Sequence, residues 1–128
     1  MAYRIEHIGL CVSDPVAMAE WYQRVLGFNI VFSGADQEKA VAFVTDGSGH
    51  CMLELGRLPG IVPLHEVQTH PLQLHIALAS DNPRQDADYL IANGATFVEE
   101  ATFKRPGDEL LLLRDPWGNS LQLAKRAK

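Results

Sequence analysis

Apolar residues at Met18, Trp21, Tyr22, Val25 and Leu26 recur at i, i+3, i+4, i+7 and i+8, which is one stripe of a helix. Asp14 just ahead of them is a good N-cap, Pro15 suits the first helical position, and Gly27 supplies a left-handed stop. The same signals return at Asn82, Pro83, Ala87, Leu90, Ile91 and Gly94. Around these helices the pattern switches to period two, the signature of half-buried strands. On the first strand Ile8, Leu10 and Val12 share a face suited to packing beneath the helix, and His7, Gly9 and Cys11 share the other. On the fifth, Leu74, Ile76 and Leu78 oppose His75, Ala77 and Ala79. Three strands are expected after each helix, at about 28–34, 39–46 and 50–56, then at about 95–103, 107–114 and 119–125. Each half therefore reads βαβββ, and the fold class is α+β.

The halves are copies of one another. Residues 4–15 read RIEHIGLCVSDP and residues 72–83 read LQLHIALASDNP. An offset of 68 carries His7 to His75, Pro15 to Pro83 and Glu54 to Gln122, and one of 67 carries Gly27 to Gly94. Such self-similarity marks a duplicated supersecondary unit. The expected organisation is a single domain over 1–128, with module 1 at about 3–57, a linker at 58–70 and module 2 at about 71–125. Pro59 and Pro63 lie in the linker and Pro71 closes it, while Leu58, Ile61, Val62 and Leu64 predict that part of it packs against a module.

Composition narrows the class. With 47% hydrophobic residues the chain can build a real core, and a formal charge of −5 argues against nucleic acid as the main partner. Lys125, Arg126 and Lys128 read as a solvated tail. No apolar run approaches the ~20 residues of a membrane span, and MAYRIEHIG has no signal-peptide core, so a membrane is not an expected partner. Cys11 and Cys51 lack CxxC spacing, which fits a reduced, cytoplasmic protein.

Four polar residues stand on the face opposite the core. Glu54 points away from Leu53 and Leu55, Gln122 away from Leu121 and Leu123, and His7 and His75 point away from their own apolar neighbours. Small residues beside them leave room for a cavity. Cys11 shares the His7 face and is expected to be a small buried filler; His50, His65 and His70 are expected in surface or loop roles. Trp117 and Asn119 belong to a DPWGN turn, and Lys104 and Arg105 to a solvated loop before strand seven.

The opening RIEHIGLCVSDPVAMAEWYQRVLGF and the closing LLRDPWGNSLQL resemble the vicinal oxygen chelate superfamily, and the resemblance covers nearly the whole chain. That group includes glyoxalase I, methylmalonyl-CoA epimerase, extradiol dioxygenases and the fosfomycin and bleomycin resistance proteins. The resemblance implies paired βαβββ modules forming a curved, partly open barrel around a divalent metal, often in a homodimer; open sheet edges independently favour a partner. Its four ligand positions fall here on His7, Glu54, His75 and Gln122. Two imidazoles, a carboxylate and an amide oxygen suit Zn, Ni, Co, Mn or Fe.

The expected activity is that of a glyoxalase-like lyase or isomerase acting on a small oxygenated substrate through a metal-stabilised enediolate or enolate. Proton transfer needs a base, and Glu54 is the one acid in the set. Many members keep glutamate where this chain has Gln122, a departure that weakens dioxygenase and fosfomycin-transferase readings. The alternative from another class is a non-catalytic small-molecule binding protein of the antibiotic-resistance type, with an extradiol-type dioxygenase third.

Overall fold

In a computed structural model, which describes residues 1–128, both helix-start signals operate as read. Helix α1 spans Pro15–Leu26, and the Asp14 carboxylate accepts from the Ala17 N–H at 3.2 Å. Gly27 ends it at φ 73°. Past the four-residue helix α2 (Leu64–Val67), helix α3 spans Pro83–Ala92, where the Asn82 side chain accepts from the Gln85 N–H at 3.3 Å. Two compact units result, residues 1–67 and 68–128, dividing inside the expected linker.

Each unit carries its own four-stranded mixed sheet. In the first, β1 (His7–Cys11), β2 (Asn29–Ala35), β3 (Ala40–Thr45) and β4 (Met52–Arg57) are ordered β1-β4-β3-β2. In the second, β5 (Ile76–Ala79), β6 (Thr96–Glu100), β7 (Glu109–Arg114) and β8 (Ser120–Lys125) are ordered β5-β8-β7-β6. The duplication extends to hydrogen-bond register. β1 lies parallel to β4 with Gly9 opposite Glu54, and β5 lies parallel to β8 with Ala77 opposite Gln122. Even the irregularity repeats, with a register shift between Ile30 and Phe32 in β2 and between Phe97 and Glu99 in β6.

The cores follow the stripes read from sequence. Val12, Met18, Tyr22, Val44 and Leu55 are fully buried in the first unit, and Leu90, Leu111, Leu113 and Leu121 are buried in the second. Each such side chain contributes roughly 1.5–3 kcal/mol of burial. The Tyr22 ring also meets Phe28 edge-on at 5.8 Å.

Three local expectations need correction. Leu10 and Val12 are buried, but Ile8 is 43% exposed, because α1 packs chiefly on β2, β3 and β4 while β1 is an edge strand. Strand β5 begins at Ile76, so His75 lies just ahead of it rather than within it. Strand β6 stops at Glu100 rather than 103: Ala101 N–H still donates to Leu110 O, after which the chain leaves the sheet and turns through Gly107 at φ 83°.

Candidate functional site

In the first unit, the β1–β4 register sets Glu54 beside Gly9 on the open face. A Cβ built at Gly9 or Gly56 would meet nothing within 4 Å, so these glycines leave free space around the carboxylate. A cavity of about 300 Å³ lies here, with Glu54, Gly9, Cys11, Gly56 and Ile61 in its wall. Cys11 is therefore half-buried cavity lining rather than core filler, and its thiol approaches Ile61 O at 3.8 Å, where the linker packs back on β1. His7 stands next to Glu54, with Nε2 at 3.4 Å from Glu54 Oε2. Its other nitrogen, Nδ1, is 2.5 Å from Glu6 Oε1, and Phe43 meets the ring edge-on at 5.9 Å. The Glu6 hydrogen bond, opposed by some desolvation and aided by the charges of Glu6 and Glu54, raises the His7 pKa above its ordinary 6.5.

In the second unit, Gln122 on β8 is buried and faces Ala77 across the parallel pair. His75 and Gln122 line one cavity of about 480 Å³. The His75 Nδ1 is 2.7 Å from Pro71 O. A carbonyl oxygen can only accept, so Nδ1 is the donor, and the tautomer this selects has its lone pair on Nε2. The turn that offers this carbonyl is braced by two glutamines. Gln73 Oε1 accepts from the Thr69 and His70 N–H groups, and Gln68 Nε2 donates to His70 O and Leu74 O.

The four expected ligands thus fall into two pairs, His7 with Glu54 and His75 with Gln122. Neither unit gathers three or more His, Cys, Asp or Glu side chains into a metal-holding cluster. The donor chemistry nevertheless fits a divalent ion. In both units Nδ1 is occupied by an oxygen acceptor, a carboxylate or a backbone carbonyl, which is how metal-bound imidazoles are oriented. Glu6 and the Pro71 carbonyl were absent from the sequence reading. Adjacency of Glu6 to His7 was the one available signal for the first, and a backbone carbonyl leaves none.

Other residues settle as follows. His50 is exposed in its loop, and His70 is exposed too but lines the larger cavity, its Nδ1 accepting from the Leu72 N–H. His65 is half-buried in α2, and its Nδ1 has no partner. The DPWGN turn is structural: buried Asp115 accepts from the Trp117 and Asn119 N–H groups, both at 2.9 Å. Lys104, Arg105 and Arg126 are exposed, as read, and they also form part of the 480 Å³ cavity wall.

Among solved structures, the chain is similar to a glyoxalase family protein from Bacillus cereus, at TM-score 0.74 and 17% identity, with 97% of this chain and 94% of that one covered. It is also similar to TnmS3, an antibiotic binding protein from Streptomyces sp. CB03234, at TM-score 0.71 and 18% identity over 98% of both chains. A glyoxalase I variant from Zea mays matches at TM-score 0.69 and 18% identity, covering 98% of this chain and 45% of that one. At these identities the likeness is one of fold. No curated protein matches the chain. The model of the Glyoxalase/Bleomycin resistance protein/Dioxygenase superfamily matches residues 4–123, and the chain belongs to that superfamily.

Proposed function

We propose that the chain is a metal-dependent lyase or isomerase of the glyoxalase type, acting on a small oxygenated compound. The observation that carries this reading is the first unit's pair: the one carboxylate of the donor set stands 3.4 Å from a histidine whose far nitrogen is already held by Glu6. His7, Glu54, His75 and Gln122 are the proposed donors for divalent metal, which would be Zn, Ni, Co, Mn or Fe. When bound, that ion supplies Lewis acidity to a substrate carrying adjacent oxygens. Glu54 is the base. Its Oε2 takes the proton from a carbon that bears a hydroxyl beside the substrate carbonyl and returns it to the former carbonyl carbon, while the hydroxyl proton passes to the former carbonyl oxygen, so the isomerisation is balanced within one molecule. Gln122 has no proton to exchange in this range and serves through its amide oxygen, so the two halves have unequal roles. The protein works as a homodimer in a reducing cytoplasm, where Cys11 and Cys51 remain free thiols.

A second reading is favoured by the 480 Å³ cavity, whose wall includes Pro71, Leu72, Ala101, Phe103, Leu110 and Leu112. A wall of this kind suits sequestration of an apolar small molecule without chemistry, and the structurally similar TnmS3 is an antibiotic binding protein. Metal analysis separates the two. The enzyme reading expects stoichiometric metal in the purified or reconstituted protein, lost in His7→Ala and His75→Ala variants that keep their fold. A folded protein that takes up none of the five metals leaves only the binding reading.

A further inference from the structure

We propose that the second unit's cavity selects an amphipathic organic anion, an apolar or aromatic body bearing one carboxylate, sulfonate or phosphate. The assignment rests on that cavity being the ligand site of the second, binding reading above, and it specifies the ligand's charge and shape.

Asp108 organises the rim of this cavity. Its side chain is fully buried, yet it is surrounded by donors: Ala127 N–H at 2.7 Å, Arg126 Nη1 at 2.8 Å and Arg105 Nε at 3.0 Å. Lys104 Nζ donates to the Asp108 backbone carbonyl at 2.8 Å. The buried carboxylate thereby gathers two arginines from separate stretches, the loop after β6 and the C-terminal tail, while the backbone carbonyl of the same residue holds Lys104. All three line the cavity. Asp108 engages only one nitrogen of each guanidinium, so each arginine retains further N–H donors, and the two remain 68% and 55% exposed. Glu100, 3.9 Å from Lys104, is shared with Arg84 at 2.9 Å.

Counting Asp108 and Glu100 against Lys104, Arg105 and Arg126 leaves the rim positive in a chain whose formal charge is −5. A fixed guanidinium pair beside an apolar wall recognises an anionic head group while Phe103, Leu110 and Leu112 take the body. Phe103 is 85% exposed, a large aromatic face held at the cavity without cover. These features together describe a ligand with a charge at one end and an apolar surface at the other.

The probes are 8-anilinonaphthalene-1-sulfonate and its uncharged counterpart N-phenyl-1-naphthylamine, titrated by fluorescence with EDTA present so that no metal contributes. The anion is expected to bind one site per chain about tenfold more tightly than the neutral probe at low salt. That preference should shrink several-fold at ~0.5 M salt, where charges more than ~4–5 Å apart are screened. Arg105→Gln leaves Asp108 with Arg126 and the Ala127 N–H, so the rim should still fold. It should weaken the sulfonate about three- to tenfold and leave the neutral probe unchanged. Ala101→Phe, which fills the cavity, should abolish both. Equal affinities indifferent to salt and to Arg105 would overturn the proposal, as would sulfonate binding that survives Ala101→Phe. Because EDTA removes metal, a failure of the metal reading appears in the metal analysis and not here.

Discussion

Glu6 and the Pro71 carbonyl hold the two histidines by different chemistry to the same end: each occupies Nδ1 and leaves Nε2 for other work. Removing such an orienting partner costs metal sites about 10–100-fold in affinity. Glu6→Ala should therefore weaken Zn binding by that factor, read by calorimetric titration, with an unchanged circular dichroism spectrum; an unchanged affinity would reduce Glu6 to a surface acid. Gln122 supplies a test of the opposite sign. It is 7% exposed, so Gln122→Glu buries a carboxylate at a cost of roughly 1–3 kcal/mol in metal-free protein. Bound metal should recover most of that loss in Tm, and a variant equally destabilised with and without metal would remove Gln122 from the ligand set. Strand alternation made the faces of Glu54 and Gln122 legible because face is a local property, whereas His75 stands ahead of β5, where alternation does not reach. Glu6 was illegible because its partner is chosen by a side-chain rotamer. Arg126 is solvated as read, but its pairing with Asp108 was illegible because that partner lies 18 residues away in sequence.

At the scale of elements, the helices and register were readable because each rests on short-range signals, Asp–Pro and Asn–Pro starts and period-two runs, stated twice. Asp14→Ala and Asn82→Ala should each cost about 0.5–2 kcal/mol in chemical denaturation, since each removes a helix N-cap acceptor. The loop after β6 was not readable, because its conformation depends on the tail that packs against it. Gly107 has φ 83°, and a Cβ there would lie 2.9 Å from the Ala127 Cβ, so Gly107→Ala should detach the tail and lower Tm. The Ala127 N–H, with Arg105 and Arg126, holds the Asp108 carboxyl well below the usual carboxylate range. A group depressed in this way stabilises the fold above its unfolded pKa, near 3.8, and that contribution is lost as pH falls toward the folded value. Asp108→Asn should accordingly lower Tm at neutral pH, with the gap to wild type closing as pH falls below about 4. A gap constant from pH 7 to 2 would mean that the carboxylate charge is not what holds the tail.

For the whole molecule, the telling feature is apolar surface left in water. Tyr3, Ile5 and Ile8 are 92%, 64% and 43% exposed along and just ahead of edge strand β1. Scattered exposed apolar residues are ordinary, but a run along one strand edge also offers unpaired backbone groups to a partner. A second copy presents the same edge, so a two-fold pairing satisfies both surfaces at once. Sedimentation at micromolar concentration should then return twice the 14.2 kDa chain mass. Ile5→Lys, which sets like charges against each other across a two-fold contact, should shift the protein toward monomer without disturbing either core, since Ile5 lies outside both. If instead the wild type sediments as a monomer, the exposed edge belongs to some other partner. A monomer in which Tyr3 and Ile5 resist labelling would show that the chain covers this edge with its own residues.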